Sequence, residues 1–291
     1  MARELLTTSL GPVSVSVSGT GPLAVLLHAN PGDARDWDSA VPSLIASGWT
    51  IAQVDWPGYG ASPAPLWGPG PAFGALGFAR VLDEVLDQVV PAHGGGAVVL
   101  VGNSVGGFAA VRQALLRPER VRGLVLIAPG GFTRFNPVSR LVTRVMGSPR
   151  WARRIVGPLA TLYTWRRTAT SSAALRRAYA VGRDPQRLAV HCDVWRSFLD
   201  PEHDLRARAR GVAVPTLVTW GRGDPVLPWL TDGRRVVRTL PDARLALFWS
   251  GHEPHAEVPQ QWLAAVKPFL ADLADLADPA GEPKAEPGRQ G

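Results

Sequence analysis

Short, largely apolar runs followed by stretches of helical spacing recur along this chain, and that alternation restricts its fold more than any other feature. Leu23 to Leu27, Thr50 to Val54, Ala97 to Val101, Val121 to Ala128 and Thr216 to Trp220 are runs of this kind, with Arg244 to Trp249 as a further strand. Runs without polar alternation predict strands buried on both faces, as in parallel sheets. Between and after them come helical stretches: Val41 to Ser47, Leu76 to Val90, Phe108 to Leu116, the region near Thr231 to Leu240, and Pro259 to about Leu273. At the start of the chain, Thr8 to Ser18 alternates as a strand and Gly19-Thr20-Gly21-Pro22 is a turn, so antiparallel strands lead into the first buried one. Strand and helix in alternation predict an α/β fold with a mostly parallel sheet covered on both faces.

The alternation stops after Ala128. About eighty residues then show helical periodicity with repeated Trp and no strand, which predicts a helical insertion into the sheet domain. With 291 residues, 46% of them apolar, the chain can bury a full core. The expected organisation is a first part of the core domain at 1–131, helices at 132–211, a second part of the core at 212–276, and a disordered Pro- and Gly-rich tail at 277–291. The longest apolar stretches fall far short of the roughly 20 residues needed to cross a bilayer, and the N-terminus lacks the apolar region of an export signal. No membrane span and a cytoplasmic location are expected. The single Cys192 offers neither an internal disulfide nor a Cys-based zinc site, and reads as a small buried thiol.

The net charge of +7 is unevenly spread. Residues 132–211 hold sixteen arginines against five carboxylates, a net +11, so the remainder is slightly acidic. Such a segment suits solvated helix faces, acidic substrates, or an anionic surface or partner. Trp151, Trp165 and Trp195 lie among these arginines at spacings that suit buried helix faces, and no nucleic-acid-binding motif accompanies them. Nucleic acid is therefore not an expected partner. Trp151, Ile155, Val156, Leu159, Leu162 and Tyr163 are spaced as one apolar helix face, and Arg153, Arg154, Arg166 and Arg167 occupy other positions.

The chemistry centres on Gly102-Asn103-Ser104-Val105-Gly106-Gly107, directly after a buried strand and directly before a helix. In that context a serine bracketed by glycines sits on a strained turn, lifted out at a helix N-terminus where backbone N–H groups favour a developing oxyanion. A serine hydroxyl needs a base, and the base needs an acid to orient it. Asp224, in Gly221-Arg222-Gly223-Asp224-Pro225, and His252, in Ser250-Gly251-His252, each follow a predicted strand. In a parallel sheet all three positions fall at the carboxyl edge.

With these residues the chain resembles the α/β-hydrolase superfamily over nearly all its length apart from the tail. His28-Ala29-Asn30-Pro31-Gly32 is similar to the family's His-Gly-x-Pro-Gly oxyanion loop, with Ala29 in place of the usual glycine. Asp55 to Ser62 is similar to its Asp-x-x-Gly-x-Gly-x-Ser loop, and Gly251-His252 through Glu257-Val258-Pro259 to its Gly-His-x4-Glu-x-Pro segment. The resemblance implies an eight-stranded, mostly parallel sheet, a helical lid at the insertion, a Ser104-Asp224-His252 triad, and oxyanion donors at the backbone N–H groups of Asn30 and Val105. The Asn30 side chain is open to two readings, a donor to substrate or a local turn cap. His28 is expected to be structural, and His255 is a weaker alternative base than His252. His252-Glu253-Pro254-His255 does not match a zinc-protease helix, since the histidines are three apart with proline between. No metal and no cofactor are expected.

The function implied is a cofactor-independent serine hydrolase acting on a small molecule. Carboxylic ester hydrolysis on an apolar acyl or aromatic substrate is the main expectation, with an anionic handle on that substrate as one use for the arginines. Carbon–carbon hydrolysis of diketone-type substrates and non-catalytic ligand binding on the same fold are the alternatives.

Overall fold

The computed structural model describes residues 3–65 and 73–276. The expected tail at 277–291, and residues 66–72, lie outside them. Eight strands form one sheet: β1 (Arg3–Thr8), β2 (Gly11–Ser18), β3 (Leu23–Leu27), β4 (Thr50–Val54), β5 (Val98–Asn103), β6 (Val121–Ile127), β7 (Thr216–Gly221) and β8 (Ala243–Phe248). Their order is β1-β2-β4-β3-β5-β6-β7-β8. β1 pairs with β2, and β2 with β4, antiparallel; all other pairs are parallel. Every residue of β3, β4, β5 and β7 is buried, which explains why these strands read as runs without alternation.

The single strand expected over Thr8 to Ser18 is in fact a hairpin. Thr8 ends β1, Gly11 opens β2 at φ 107°, and the Thr8 hydroxyl donates to the Gly11 carbonyl at 2.6 Å. A two-residue turn preserves the apparent alternation, so periodicity alone misses the break. β1 is an edge strand with only Leu6 buried, and it carries no apolar signal of its own.

Core helices cover both faces. On one side α1 (Val41–Ile45) and the C-terminal helix place Leu44, Trp262, Val266 and Phe269 against the sheet, together with Trp37. On the other, α2 (Ala75–Ala92) and α3 (Val105–Leu116) contribute Phe78, Val81, Val85, Phe108 and Val111. Burial of each such side chain stabilises the fold by about 1.5–3 kcal/mol.

Between β6 and β7 the described residues form helices only: α4 (Pro137–Met146), α5 (Pro149–Tyr163), α6 (Ala169–Val181) and α7 (Pro185–Ser197), then short 3-10 turns. Side-chain caps set three of their starts. Asn136 and Thr168 form capping boxes with Ser139 and Ser171, and Asp184 accepts from the N–H groups of Gln186 and Arg187. After β7 come α8 (Arg234–Thr239), α9 (Pro254–Glu257) and α10 (Pro259–Ala274), the C-terminal helix named above. A π-turn over Trp229–Gly233 precedes α8, so the helix expected near Thr231 is regular only from Arg234.

The face of α5 differs from expectation. Ala152, Val156, Gly157, Ala160 and Tyr163 are buried, whereas Trp151 and Leu162 are exposed. Arg166 and Arg167 lie beyond the helix end. Small residues let α5 pack closely on its neighbours, and hydropathy spacing cannot register that preference. Trp165 is exposed too, so two of the three tryptophans expected on buried faces are not there. One arginine of this segment has a structural use: Arg177 on α6 forms ion pairs with Asp33 and Asp36 of the loop after β3.

Candidate active site

Ser104 occupies a one-residue junction between β5 and α3, at φ 53° and ψ −111°, a backbone conformation that non-glycine residues rarely hold. Its amide donates to the Ile127 carbonyl at 2.9 Å, and its own carbonyl accepts from Phe108 and Gly130. The flanking glycines are required by close approach. A Cβ at Gly102 would stand 2.5 Å from the Gly106 backbone, and one at Gly106 would stand 2.3 Å from the Leu27 carbonyl oxygen. The strand-turn-helix therefore closes only with glycine at both positions.

Asp224 lies three residues beyond β7 and His252 four beyond β8, at the same sheet edge as Ser104. One Asp224 carboxylate oxygen accepts from the backbone N–H groups of Val226 and Leu227 at 2.8 and 3.0 Å. The other faces His252 Nδ1 at 2.5 Å, with both side chains buried. A proton on Nδ1 satisfies this contact and leaves Nε2 as the basic nitrogen. No hydrogen bond joins the Ser104 hydroxyl to the imidazole among the described residues, but both residues line one cavity. In unliganded sites such bonds are commonly long and tighten on substrate binding.

The loop that carries His252 is tied to the inserted helices. The His252 amide donates to the Tyr163 carbonyl at the end of α5 at 2.9 Å, and the Tyr163 ring meets the imidazole edge-on at 5.6 Å. One oxygen of the buried Glu257 carboxylate accepts from the amides of Gly251, Trp165 and Arg166 at 3.0, 2.8 and 2.9 Å, and the other from Glu253 at 3.2 Å. Burial, with the charges of Asp36 and Glu257, raises the Glu253 carboxyl well above the usual carboxylate range.

Asn30 and Val105 also line the cavity. The Asn30 side chain is held by residues far from its own loop, not by a local turn cap. Its oxygen accepts from the Tyr59 hydroxyl at 2.5 Å and lies 2.9 Å from His191 Nδ1, and its nitrogen donates to the His191 carbonyl at 3.4 Å. Tyr59 and His191 were not singled out from sequence as site residues. His191, on α7, is fully buried, and desolvation lowers its pKa to about 3, so it is neutral. An Nδ1–H tautomer fits the contact with Asn30.

The cavity measures about 550 Å³. Val138, Val142, Met146, Val156, Leu159 and Trp195 form its apolar walls from the inserted helices. Arg235, which also borders it, is engaged by the Phe132 carbonyl at 2.6 Å and by Asp232. The exposed Arg134 lies on the cavity wall as well.

Two other histidines are accounted for by packing. His28 Nδ1 contacts the Ala29 carbonyl at 2.7 Å and its Nε2 accepts from the Trp56 amide at 3.0 Å, which fixes the loop after β3. His255 is buried against Trp37, ring centroids 4.2 Å apart, and is absent from the cavity wall. Asp55 holds the neighbouring loop by accepting from the amides of Ala34 and Ala61. Among the described residues no group of three His, Cys, Asp or Glu could hold a metal ion, and no helix is long and apolar enough to cross a membrane.

Comparison with known proteins bears on the fold and the family. A family profile described as alpha/beta hydrolase fold matches residues 22–259. The chain is 26% identical over 248 residues to a 2-hydroxy-6-oxo-6-phenylhexa-2,4-dienoate hydrolase of Burkholderia cepacia, covering 81% of this chain and 82% of that protein. It is 29% identical over 272 residues to a pimeloyl-[acyl-carrier protein] methyl ester esterase of Nitrosomonas europaea, covering 88% and 98%. Among solved structures, a thermophilic esterase from Thermogutta terrifontis superposes with a TM-score of 0.76 at 20% identity, covering 94% of this chain and all of that one.

Proposed function

Because the chain belongs to the alpha/beta hydrolase family and is a hydrolase, we propose that it works as a cofactor-independent serine hydrolase with Ser104 as nucleophile, His252 as base and Asp224 as orienting acid. The observation that carries the reading is the 2.5 Å contact between the Asp224 carboxylate and His252 Nδ1, made at the cavity that Ser104 also lines.

In this reading His252 Nε2 takes the proton from the Ser104 hydroxyl as its oxygen attacks the substrate carbonyl. Asp224 stabilises the resulting imidazolium without itself being protonated. The backbone N–H groups of Asn30 and Val105 hold the oxyanion, and the N-terminus of α3 adds its dipole. His252 then returns the proton to the leaving group, and water, activated by the same nitrogen, releases the acyl group and regenerates Ser104. The apolar cavity supports a carboxylic ester with an apolar acyl or aromatic portion, and Arg134 is the arginine available there for an anionic handle. The helices over 132–211 act as a lid that walls this cavity.

A second reading, carbon–carbon hydrolysis of a diketone-type substrate, is favoured by the similarity to the dienoate hydrolase. It uses the same three side chains and differs in the bond broken.

Treatment with a fluorophosphonate, combined with turnover of p-nitrophenyl esters of rising chain length and of a diketone, tests both readings. Ser104→Ala is expected to abolish labelling and to lower kcat by about 10⁴-fold or more. Labelling retained in Ser104→Ala would refute the assignment of the nucleophile. Absent turnover together with tight stoichiometric ligand binding would instead support a binding role.

A further inference from the structure

The inserted helices carry a charge and exposure pattern that chemistry at Ser104 uses only in part: Arg134, Val138 and Val142 border the cavity, whereas Arg140, Leu141 and Arg144 do not. From Phe132 to Arg183 there are eleven arginines, no lysine and no Asp or Glu. Helix α4 lies within this stretch and has three distinct faces. Thr143 and Met146 are buried. Val138, Leu141 and Val142, spaced at i, i+3 and i+4, form an apolar stripe, yet they are 70%, 61% and 48% exposed. Arg140 and Arg144, one turn apart, run beside it. A helix of a globular protein ordinarily buries its apolar stripe; in α4, Val138 and Val142 border the open cavity and Leu141, which does not line it, is left exposed.

Helix α5 repeats the pattern. Trp151 and Leu162 are eleven residues apart, which places them within about 20° of one another around the helix axis. They are 47% and 61% exposed, and the Arg150 guanidinium lies over the Trp151 ring at 5.6 Å.

Whatever covers α4 must be both apolar and anionic. Among the described residues no carboxylate lies within ion-pair distance of Arg140 or Arg144; Arg140 lies over the Phe135 ring at 5.8 Å and borders a cleft that Asp200 and Asp204 also line. A second copy meeting this face two-fold would set arginines against arginines. An acidic protein supplies carboxylates but must also bring a matching apolar cleft, whereas a lipid boundary yields to any exposed stripe. Phosphates at that boundary pair with guanidinium groups in bidentate fashion. The cavity points to the same place, because Val138 and Val142 belong both to the stripe and to the cavity wall. An apolar route toward Ser104 therefore begins at α4.

We propose that α4 is an interfacial docking helix that seats the protein on an anionic lipid surface. Leu141, with the exposed edges of Val138 and Val142, enters the acyl boundary, and Arg140 and Arg144 bind lipid phosphates.

The test is co-sedimentation of the full chain with vesicles of phosphatidylcholine plus phosphatidylglycerol, against phosphatidylcholine alone. The chain is expected to bind the anionic vesicles, to release them as salt rises, and to bind neutral vesicles weakly. Arg144→Gln is expected to bind the anionic vesicles about fivefold more weakly, and Leu141→Asp at least about tenfold more weakly. Neither residue lines the cavity, so both variants keep wild-type kcat on a water-soluble ester, which also shows that they fold. Failure of the wild-type chain to bind anionic vesicles, equal binding to neutral ones, or wild-type binding by Leu141→Asp would overturn the proposal. Binding to an immobilised acidic carrier protein with none to vesicles would overturn it in favour of a protein partner. Because vesicle binding needs no turnover, its outcome is separate from that of the Ser104 assignment.

Discussion

His191 reaches back 161 residues to hold the side chain of Asn30, and Tyr59 holds it from the other side. Both contacts restrain the residue whose backbone N–H is assigned to the oxyanion, although neither partner is assigned a contact with substrate. His191→Ala is expected to lower kcat about tenfold with little change in KM, since misplacing a donor weakens transition-state more than ground-state binding. His191→Asn, which can present an amide nitrogen toward Asn30, should recover much of that loss. A rise in KM alone would count against a positioning role. This clamp was not legible in the sequence, because nothing local to His191 reveals a partner so distant along the chain. The elbow at Ser104 was legible, because strand, paired glycines and helix are contiguous there. Asp224 and His252 could be singled out for a related reason: each follows its own strand, and a parallel sheet delivers such positions to one edge.

Among the elements, α5 is tied directly to the His252 loop. Its terminal carbonyl, on Tyr163, accepts the His252 amide, and a Cβ placed on Gly251 would stand 1.7 Å from that same oxygen. Gly251→Ala must therefore push the loop and the end of α5 apart, at a cost of about 1–3 kcal/mol. A lower urea midpoint and a lower kcat should appear together; unchanged values for both would show that the contact is dispensable. Central strands were readable because burial on both faces removes alternation. The hairpin between β1 and β2 was not, since its turn preserves the period. The packing face of α5 escapes hydropathy spacing for another reason: Ala152, Gly157 and Ala160 face inward because they are small, while the larger Trp151 and Leu162 remain outside.

For the molecule as a whole, acid should be destabilising through its buried histidines. Burial lowers His191, His203 and His255 each to about 3, with the charge of His252 adding to the effect at His255. A depressed folded-state value means that the unfolded chain binds protons first as pH falls. The stability these residues contribute is thus complete above about pH 6.5 and is lost progressively toward pH 3, at about 1.4 kcal/mol per pH unit for each histidine. Urea midpoints should fall steadily between about pH 6.5 and pH 5, and His203→Gln should make that decline shallower. A midpoint independent of pH over this interval would contradict neutral burial. The Glu257 carboxylate bears on the molecule at the same scale, since it ties the histidine loop to the turn after α5. Engineers who graft these helices from a homologue to change substrate range will need a transplant whose turn brings two backbone amides to that acceptor. A chimera lacking them would acquire a new pocket and a misplaced base in one step.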